Sequence, residues 1–453
     1  MQLIKRMMLL VLVAVLIMGY IPVRANNVHV VVADDVLWRI AQVHGLTWEV
    51  LASYNQLDDP HHIEVGQRIY IPTNETAGES VIEQLEVANY EVIIGGTWPV
   101  GGTLSMPAGA SATNPVPGVI LVHGSGASNR DAAVLENRPF YDIALYLSTN
   151  GVAVLRYDKT TYVHGEAILA QYGAAFTVWE ETIESALNAA RLLQDDPRIN
   201  HVYMIGLSLG AMLAPRIHNA GGDFDGLIFM AGTPRTMLEV SITQNWLLFD
   251  IIYAQVEEQA FLLDALIEAS AYDELRIIMN ETAVHMGLIN TSEMTDQEIH
   301  ELTLYLIAQS FLNMDVMYAS IMEIEALLLA LPDMSAEEAQ TFLFDPAINM
   351  YAYYLRDFAL NPTANVLRDI QIPMLFLQGA LDFQILVDED FNAFYELVGY
   401  RDNTTFILYE GLGHIFTPST ATHLLEAMAE WQIPAQVCPQ VLSDMLQWIL
   451  VQS

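Results

Sequence analysis

The chain has 453 residues, 53% of them hydrophobic and 16% charged, which is enough for at least one large core and too long for a single small domain. Its 55 acidic residues against 17 basic ones give a formal charge of −38, a field that repels nucleic-acid phosphates and anionic headgroups, so no nucleic-acid partner is expected. A lone Cys438 excludes an intrachain disulfide framework, and no Cys/His spacing suits zinc, so neither a metal nor an organic cofactor is expected.

At the N-terminus, Lys5 and Arg6 precede the apolar run Met7 to Gly19, and Val23-Arg24-Ala25 offers small residues where a signal peptidase reads. This predicts a signal peptide over residues 1–25 and a secreted or cell-wall-associated protein. The run falls short of the roughly 20 apolar residues that span a bilayer, and Pro22 follows it. Cleavage after Ala25 is therefore expected, leaving no stable membrane span, with a retained leader anchor as the alternative. No cysteine stands just after the run to carry a lipid.

Residues 28–72 read as a βααβ unit: a β-rich start at Val28 to Val32, helices from Asp35 to His44 and from Thr47 to Asn55, and a closing strand at Arg68 to Ile71. Asp34 and Asp35 stand where a carboxylate caps a helix and complements its dipole, and Thr47 is placed to cap the second helix. The blocks His29-Val30-Val31-Val32, Asp35 to Ala41, Leu51 to Asn55 and Val65 to Pro72 resemble the LysM family in order and spacing. That resemblance implies binding of peptidoglycan or another N-acetylglucosamine-containing glycan in the groove between the β1–α1 and α2–β2 loops. The loop residues Asp35, Asp59 and His61 are the candidates to touch sugar. One departure is Asp34, where the family commonly has Gly. His61 and His62, adjacent in a loop-like stretch, read as surface histidines rather than metal ligands.

Residues 73–84 form a polar linker without a hydrophobic period. From 85 to 453 short apolar runs alternate with helical patterns, as in a mostly parallel sheet with helices on both faces. Strands are predicted at Val119 to Val122, Val152 to Tyr157, His201 to Ile205, Gly226 to Met230, Met374 to Gln378 and Thr405 to Tyr409, with helices at Tyr141 to Ser148 and Val178 to Leu193. A long helical, acidic, Met-containing stretch at about 236–366 interrupts them and reads as an inserted cap that sets substrate identity.

Gly206-Leu207-Ser208-Leu209-Gly210 follows one predicted strand and precedes a helical pattern, the setting in which a serine sits on a strained turn between flanking glycines. A serine nucleophile needs a histidine base and an orienting carboxylate downstream. Asp382, in Gly379-Ala380-Leu381-Asp382, and His414, in Glu410-Gly411-Leu412-Gly413-His414, each lie just past a strand's C-terminal end, where open α/β sheets bind ligands. Asp388 and Asp390 are alternative acids further into the next helix. The backbone N–H groups of Leu209 and Ser125, with Gly126 second to Ser125, are the candidate oxyanion donors. His123 reads as structural rather than as a base. Lys159 is the only lysine beyond Lys5, and an ion pair with one of the many carboxylates is its plainest reading; Arg130 and Arg235 read the same way.

The segments His123 to Asp131, Arg156 to Thr160, the Ser208 elbow with Met212 to Arg216, Ala231 to Arg235, and Asp382-Phe383-Gln384 resemble the dienelactone hydrolase and carboxylesterase branch of the α/β-hydrolase superfamily. The resemblance implies ester hydrolysis through an acyl-enzyme, and the apolar faces of the inserted cap point to a small to medium, partly apolar acyl ester as substrate. A serine peptidase or amidase, and a glycan-binding protein with an inert hydrolase scaffold, are the alternatives.

Overall fold

The computed structural model describes residues 28–31, 37, 40, 51–52, 55, 67–70, 86–278, 294–330, 333–335, 338 and 352–453. The predicted signal peptide therefore lies outside the described residues, as do Asp34, Asp35, Thr47, Asp59 and His61.

In the N-terminal unit, β1 (Val28–Val30) pairs antiparallel with β2 (Arg68–Tyr70), placing His29 opposite Ile69. β1 ends before Val31, whereas Val32 and Ile71, the last residues of the two predicted strands, lie outside the described residues. Helical Leu37, Ile40, Leu51 and Ala52 bury against Val31 and Ile69 in one small core.

The main sheet has eight strands in the order β10-β9-β8-β7-β5-β6-β4-β3. These are β3 (Val87–Ile94), β4 (Val100–Pro107), β5 (Val116–Val122), β6 (Ala153–Tyr157), β7 (Ile199–Leu207), β8 (Gly226–Met230), β9 (Met374–Gly379) and β10 (Thr404–Tyr409). From β5 and β6 to β10 all pairings are parallel; β4 joins β6 and β3 antiparallel. All six predicted strands are present, most of them a residue or more longer than expected.

The β3–β4 hairpin had no counterpart in the sequence reading. Edge strand β3 buries only Ile94, and β4 carries Gly101, Gly102, Thr103 and Ser105 instead of a continuous apolar run. Neither strand shows the strong alternation or solid apolar block that marks a strand. Polar cross-strand pairs take the place of that signal: Thr103 donates to Glu91 at 2.8 Å and Ser105 to Asn89 at 2.7 Å.

Period-two alternation divides the parallel strands between two cores. Val119, Val154, Ile205, Ile228 and Leu375 join α1 (Pro139–Thr149) and a C-terminal helix, Pro439–Gln452, on one face. On the other, Phe376 stacks between Phe229 and Phe406, each 4.4 Å away, with Phe394 packed at their edge. Three helices follow α1 before the insertion: α2 (Thr160–Tyr172), α3 (Glu184–Gln194) and α4 (Leu209–Ile217). The predicted helix from Val178 begins as a widened turn, Trp179–Ile183, before α3.

Met237–Met334 forms a separate compact unit. Its long helices α5 (Met237–Glu268) and α6 (Asp296–Ala330) run antiparallel, and Met314 and Met317 fill their interface beside Phe249 and Ile321. Trp246 Nε1 donates to Glu325 at 2.8 Å. Beyond this unit, but inside the stretch of about 236–366 expected as an insertion, α7 (Ala352–Leu360) is tied to α4 by the ion pair Arg216–Asp357 at 2.7 Å, and α8 (Thr363–Leu367) by Thr363 Oγ1 donating to Met212 O at 2.8 Å. The chain closes with α9 (Asn392–Val398), α10 (Leu424–Glu430) and α11, the C-terminal helix already described.

Candidate active site

Ser208 stands between β7 and α4 with φ 54° and ψ −114°, a conformation that costs a residue bearing a Cβ on the order of 1–3 kcal/mol. The surroundings fix it there. Ser208 N–H donates to Met230 O at 2.8 Å, and the turn closes on itself so tightly that a Cβ on Gly206 would lie 2.4 Å from Gly210 O. A Cβ on Gly210 would lie 2.2 Å from Val122 O. Both flanking glycines are thus required by close approach, and α4 starts directly behind the serine with its N-terminus at the turn.

Asp382 follows β9 and is buried to 0% side-chain exposure, and its Oδ2 accepts from His414 Nδ1 at 2.8 Å. Each remaining lone pair has a donor: Oδ1 accepts from Gln384 N–H at 2.9 Å and Ile385 N–H at 3.0 Å, and Oδ2 also accepts from Gln378 Nε2 at 3.0 Å. A buried carboxylate satisfied in this way stays oriented. The loops bearing the pair are joined, with Leu381 N–H donating to Leu412 O at 2.9 Å. His414 is left with its other ring nitrogen as the one available to accept a proton. The Ser208 hydroxyl makes no hydrogen bond among the described residues.

Asp390 is engaged elsewhere. Fully buried, it accepts from Arg235 Nε at 2.7 Å, Arg235 Nη2 at 3.0 Å, Thr233 Oγ1 and Leu386 N–H at 2.7 Å. It braces the loop after β8 against the loop after β9. Asp388, the other alternative, lies with Glu389 at the start of the turn leading into α9.

The loop after β5 runs beside the elbow. A Cβ on Gly124 would sit 3.3 Å from Ser208 Cβ, and Ser125 and Gly126 (φ 82°) are exposed next to it, while Leu209 is buried at the start of α4. His123 anchors the loop from beneath, its Nε2 3.0 Å from Asn129 O and its ring packed on Phe140 and Tyr157. Burial, with a further contribution from Lys159, pushes His123 down to about 3, so it is neutral at physiological pH and no proton acceptor.

Arg130 bridges Asp158 at 2.8 Å and Glu91 at 2.7 Å, and Lys159 pairs with Glu181 at 2.8 Å, in keeping with the ion-pair readings of both. The sequence assigns no role to Gln378 or Glu181, and Asp390, there an alternative acid, is instead the partner of Arg235. Only Gln378 left a local signal, as a lone polar residue ending the apolar run Met-Leu-Phe-Leu.

Residues 29–72 match the LysM domain family. Esterase EstD of Thermotoga maritima is 25% identical over 349 residues, covering 77% of this chain and 65% of that protein. The chain thus spans under two-thirds of that relative's length. Among solved structures, Est1E from Butyrivibrio proteoclasticus aligns over 80% of this chain and 98% of its own, at 14% identity and a TM-score of 0.40. Proline iminopeptidase from Mycobacterium smegmatis aligns over 81% and 98%, at 13% identity and 0.41. With the parallel sheet, its antiparallel leading hairpin and the serine turn after β7, the chain joins an N-terminal LysM domain to an α/β-hydrolase fold.

Proposed function

We propose that this protein is an exported serine hydrolase that cleaves carboxylic esters and is held at cell-wall glycan by its LysM domain. The observation that carries the reading is the 2.8 Å hydrogen bond from His414 to the buried Asp382, at the same sheet edge as the strained Ser208. The likeness to an esterase supports the ester over other acyl compounds.

In the proposed cycle Ser208 Oγ attacks the ester carbonyl carbon while His414 Nε2 takes its proton, and Asp382 stabilises the imidazolium and fixes the ring's tautomer. The tetrahedral oxyanion is held by the N–H groups of Leu209 and Ser125, with Gly126 adjacent. Collapse expels the alcohol, protonated by His414; water then attacks the acyl-enzyme by the same route, releasing the acid and restoring Ser208. The Ser208–His414 hydrogen bond forms as substrate fills the site, since catalytic bonds are commonly long in the free enzyme.

The test is hydrolysis of p-nitrophenyl esters from acetate to decanoate by wild type and Ser208→Ala side by side. Activity on shorter chains that is lost in the variant is the expected result. Equal rates in both proteins, or hydrolysis confined to p-nitroanilides, would overturn the ester reading.

A further inference from the structure

Lys159 is the only lysine beyond Lys5, and it is 1% exposed. A buried ammonium requires partners, because removing it from water without them is far costlier than any packing gain. Two are present: Glu181 Oε1 lies 2.8 Å from Nζ, and Nζ donates to Gly124 O at 2.7 Å. The Lys159 backbone N–H also donates to Ser128 O at 3.0 Å, so the loop after β5 is held at both Gly124 and Ser128. Burial lowers the ammonium's pKa and the charge of Glu181 opposes that shift.

The Gly124 carbonyl belongs to the peptide unit whose nitrogen is the Ser125 N–H. A trans peptide is planar, with its C=O and N–H on opposite sides. Fixing the carbonyl on Lys159 therefore fixes the N–H in the opposite direction. Gly124 also runs beside the nucleophile, with an added Cβ only 3.3 Å from Ser208 Cβ and 3.9 Å from its Oγ. Without the lysine this peptide is free to rotate, since glycine tolerates most backbone conformations.

We propose that Lys159, clamped by Glu181, is a positioning residue that sets the Gly124–Ser125 peptide so that the Ser125 N–H meets the oxyanion formed on Ser208. The inference rests on the hydrolase reading above. Lys159 touches no substrate and transfers no proton; its partner is a backbone carbonyl.

The test compares wild type, Lys159→Met and Glu181→Gln on one short p-nitrophenyl ester. It also measures inhibition by an aryl trifluoromethyl ketone, which forms a tetrahedral oxyanion adduct on a reactive serine, and by the matching methyl ketone, which binds without that adduct. Losing one oxyanion donor lowers kcat on the order of 10²–10³-fold. In Lys159→Met the expected result is a loss of that order in kcat and in trifluoromethyl ketone affinity, with KM and methyl ketone affinity within about threefold of wild type. A folded Lys159→Met that keeps kcat and trifluoromethyl ketone affinity within threefold would leave the ion pair purely structural and overturn the inference. Should Lys159→Met not fold, Glu181→Gln carries the test: a roughly tenfold selective loss of trifluoromethyl ketone affinity supports the inference, and unchanged affinity overturns it. Absent hydrolysis and absent ketone inhibition in wild type would instead overturn the hydrolase reading, and this inference with it.

Discussion

Replacing Ser208 by glycine should make the protein more stable than replacing it by alanine, although both changes abolish the proposed chemistry. At φ 54° and ψ −114°, alanine keeps the Cβ that makes the turn unfavourable, whereas glycine relieves a strain on the order of 1–3 kcal/mol. Against this, glycine enlarges the entropy of the unfolded chain by about 0.4–1 kcal/mol. The difference favours Ser208→Gly by about 1 kcal/mol, which for an m-value near 2–3 kcal/mol/M moves the urea midpoint by roughly 0.3–0.5 M. Near-ultraviolet circular dichroism in urea, run on both variants at one pH, reads the shift. A midpoint for Ser208→Gly at or below that of Ser208→Ala would show that the turn stores no strain, and the argument that the fold forces this serine into place would fail.

Asp382→Asn should cost on the order of 10⁴ in kcat with little change in KM, because an amide turned toward His414 Nδ1 favours the wrong tautomer; retention of more than a tenth of the rate would move the acid's role elsewhere. Asp142, in the first turn of α1, accepts from Val437 N–H at 3.0 Å, and burial raises its carboxyl from 3.8 to about 6. Its folded pKa lies above the unfolded one, so the stability it contributes is full below pH 4 and is lost as pH rises through 6. Asp142→Asn should therefore raise stability in urea by roughly 3 kcal/mol at pH 7.5 and by well under about 1 kcal/mol at pH 4; an equal gain at both values would remove ionisation as the cause. Deletion of residues 26–80 should abolish binding to purified peptidoglycan while leaving kcat/KM on a soluble ester within twofold, and sedimentation with peptidoglycan separates the two functions.

The sequence marked Ser208 and Asp382 as candidates because β7 and β9, inner strands, carry short buried apolar blocks; His414 follows β10, a half-exposed edge strand that still carries the run Phe406-Ile407-Leu408-Tyr409. The loops directly after such strands fall on the sheet's C-terminal edge. The leading hairpin was not legible for the converse reason: exposed β3 and glycine-rich β4 lack either kind of apolar pattern. The sequence already ranked Asp382 ahead of Asp388 and Asp390 by position; what it did not mark is the partner of Asp390, Arg235, 155 residues away. Composition marked Lys159 as unusual, but nothing local singled out Glu181 among 55 acidic residues, or Gly124 O among the backbone carbonyls.

The strands carrying the site are braced in series. Ser208 N–H donates to Met230 O, Ala231 N–H to Leu377 O, Ala380 N–H to Tyr409 O and Leu381 N–H to Leu412 O, so each loop rests on the end of the next strand. Side chains then lock the loops that backbone pairing leaves free: Asp390 with Arg235 on one side of the elbow, Lys159 with Glu181 on the other. Ordering of this kind is completed when the protein folds, before substrate arrives, so dipoles and donors need little reorganisation as charge develops on the carbonyl oxygen. The Ser208 hydroxyl is the exception, a side chain on a fixed backbone with one torsion left to turn. On this reading its rotation toward His414 is the small motion that commits the bound ester to reaction.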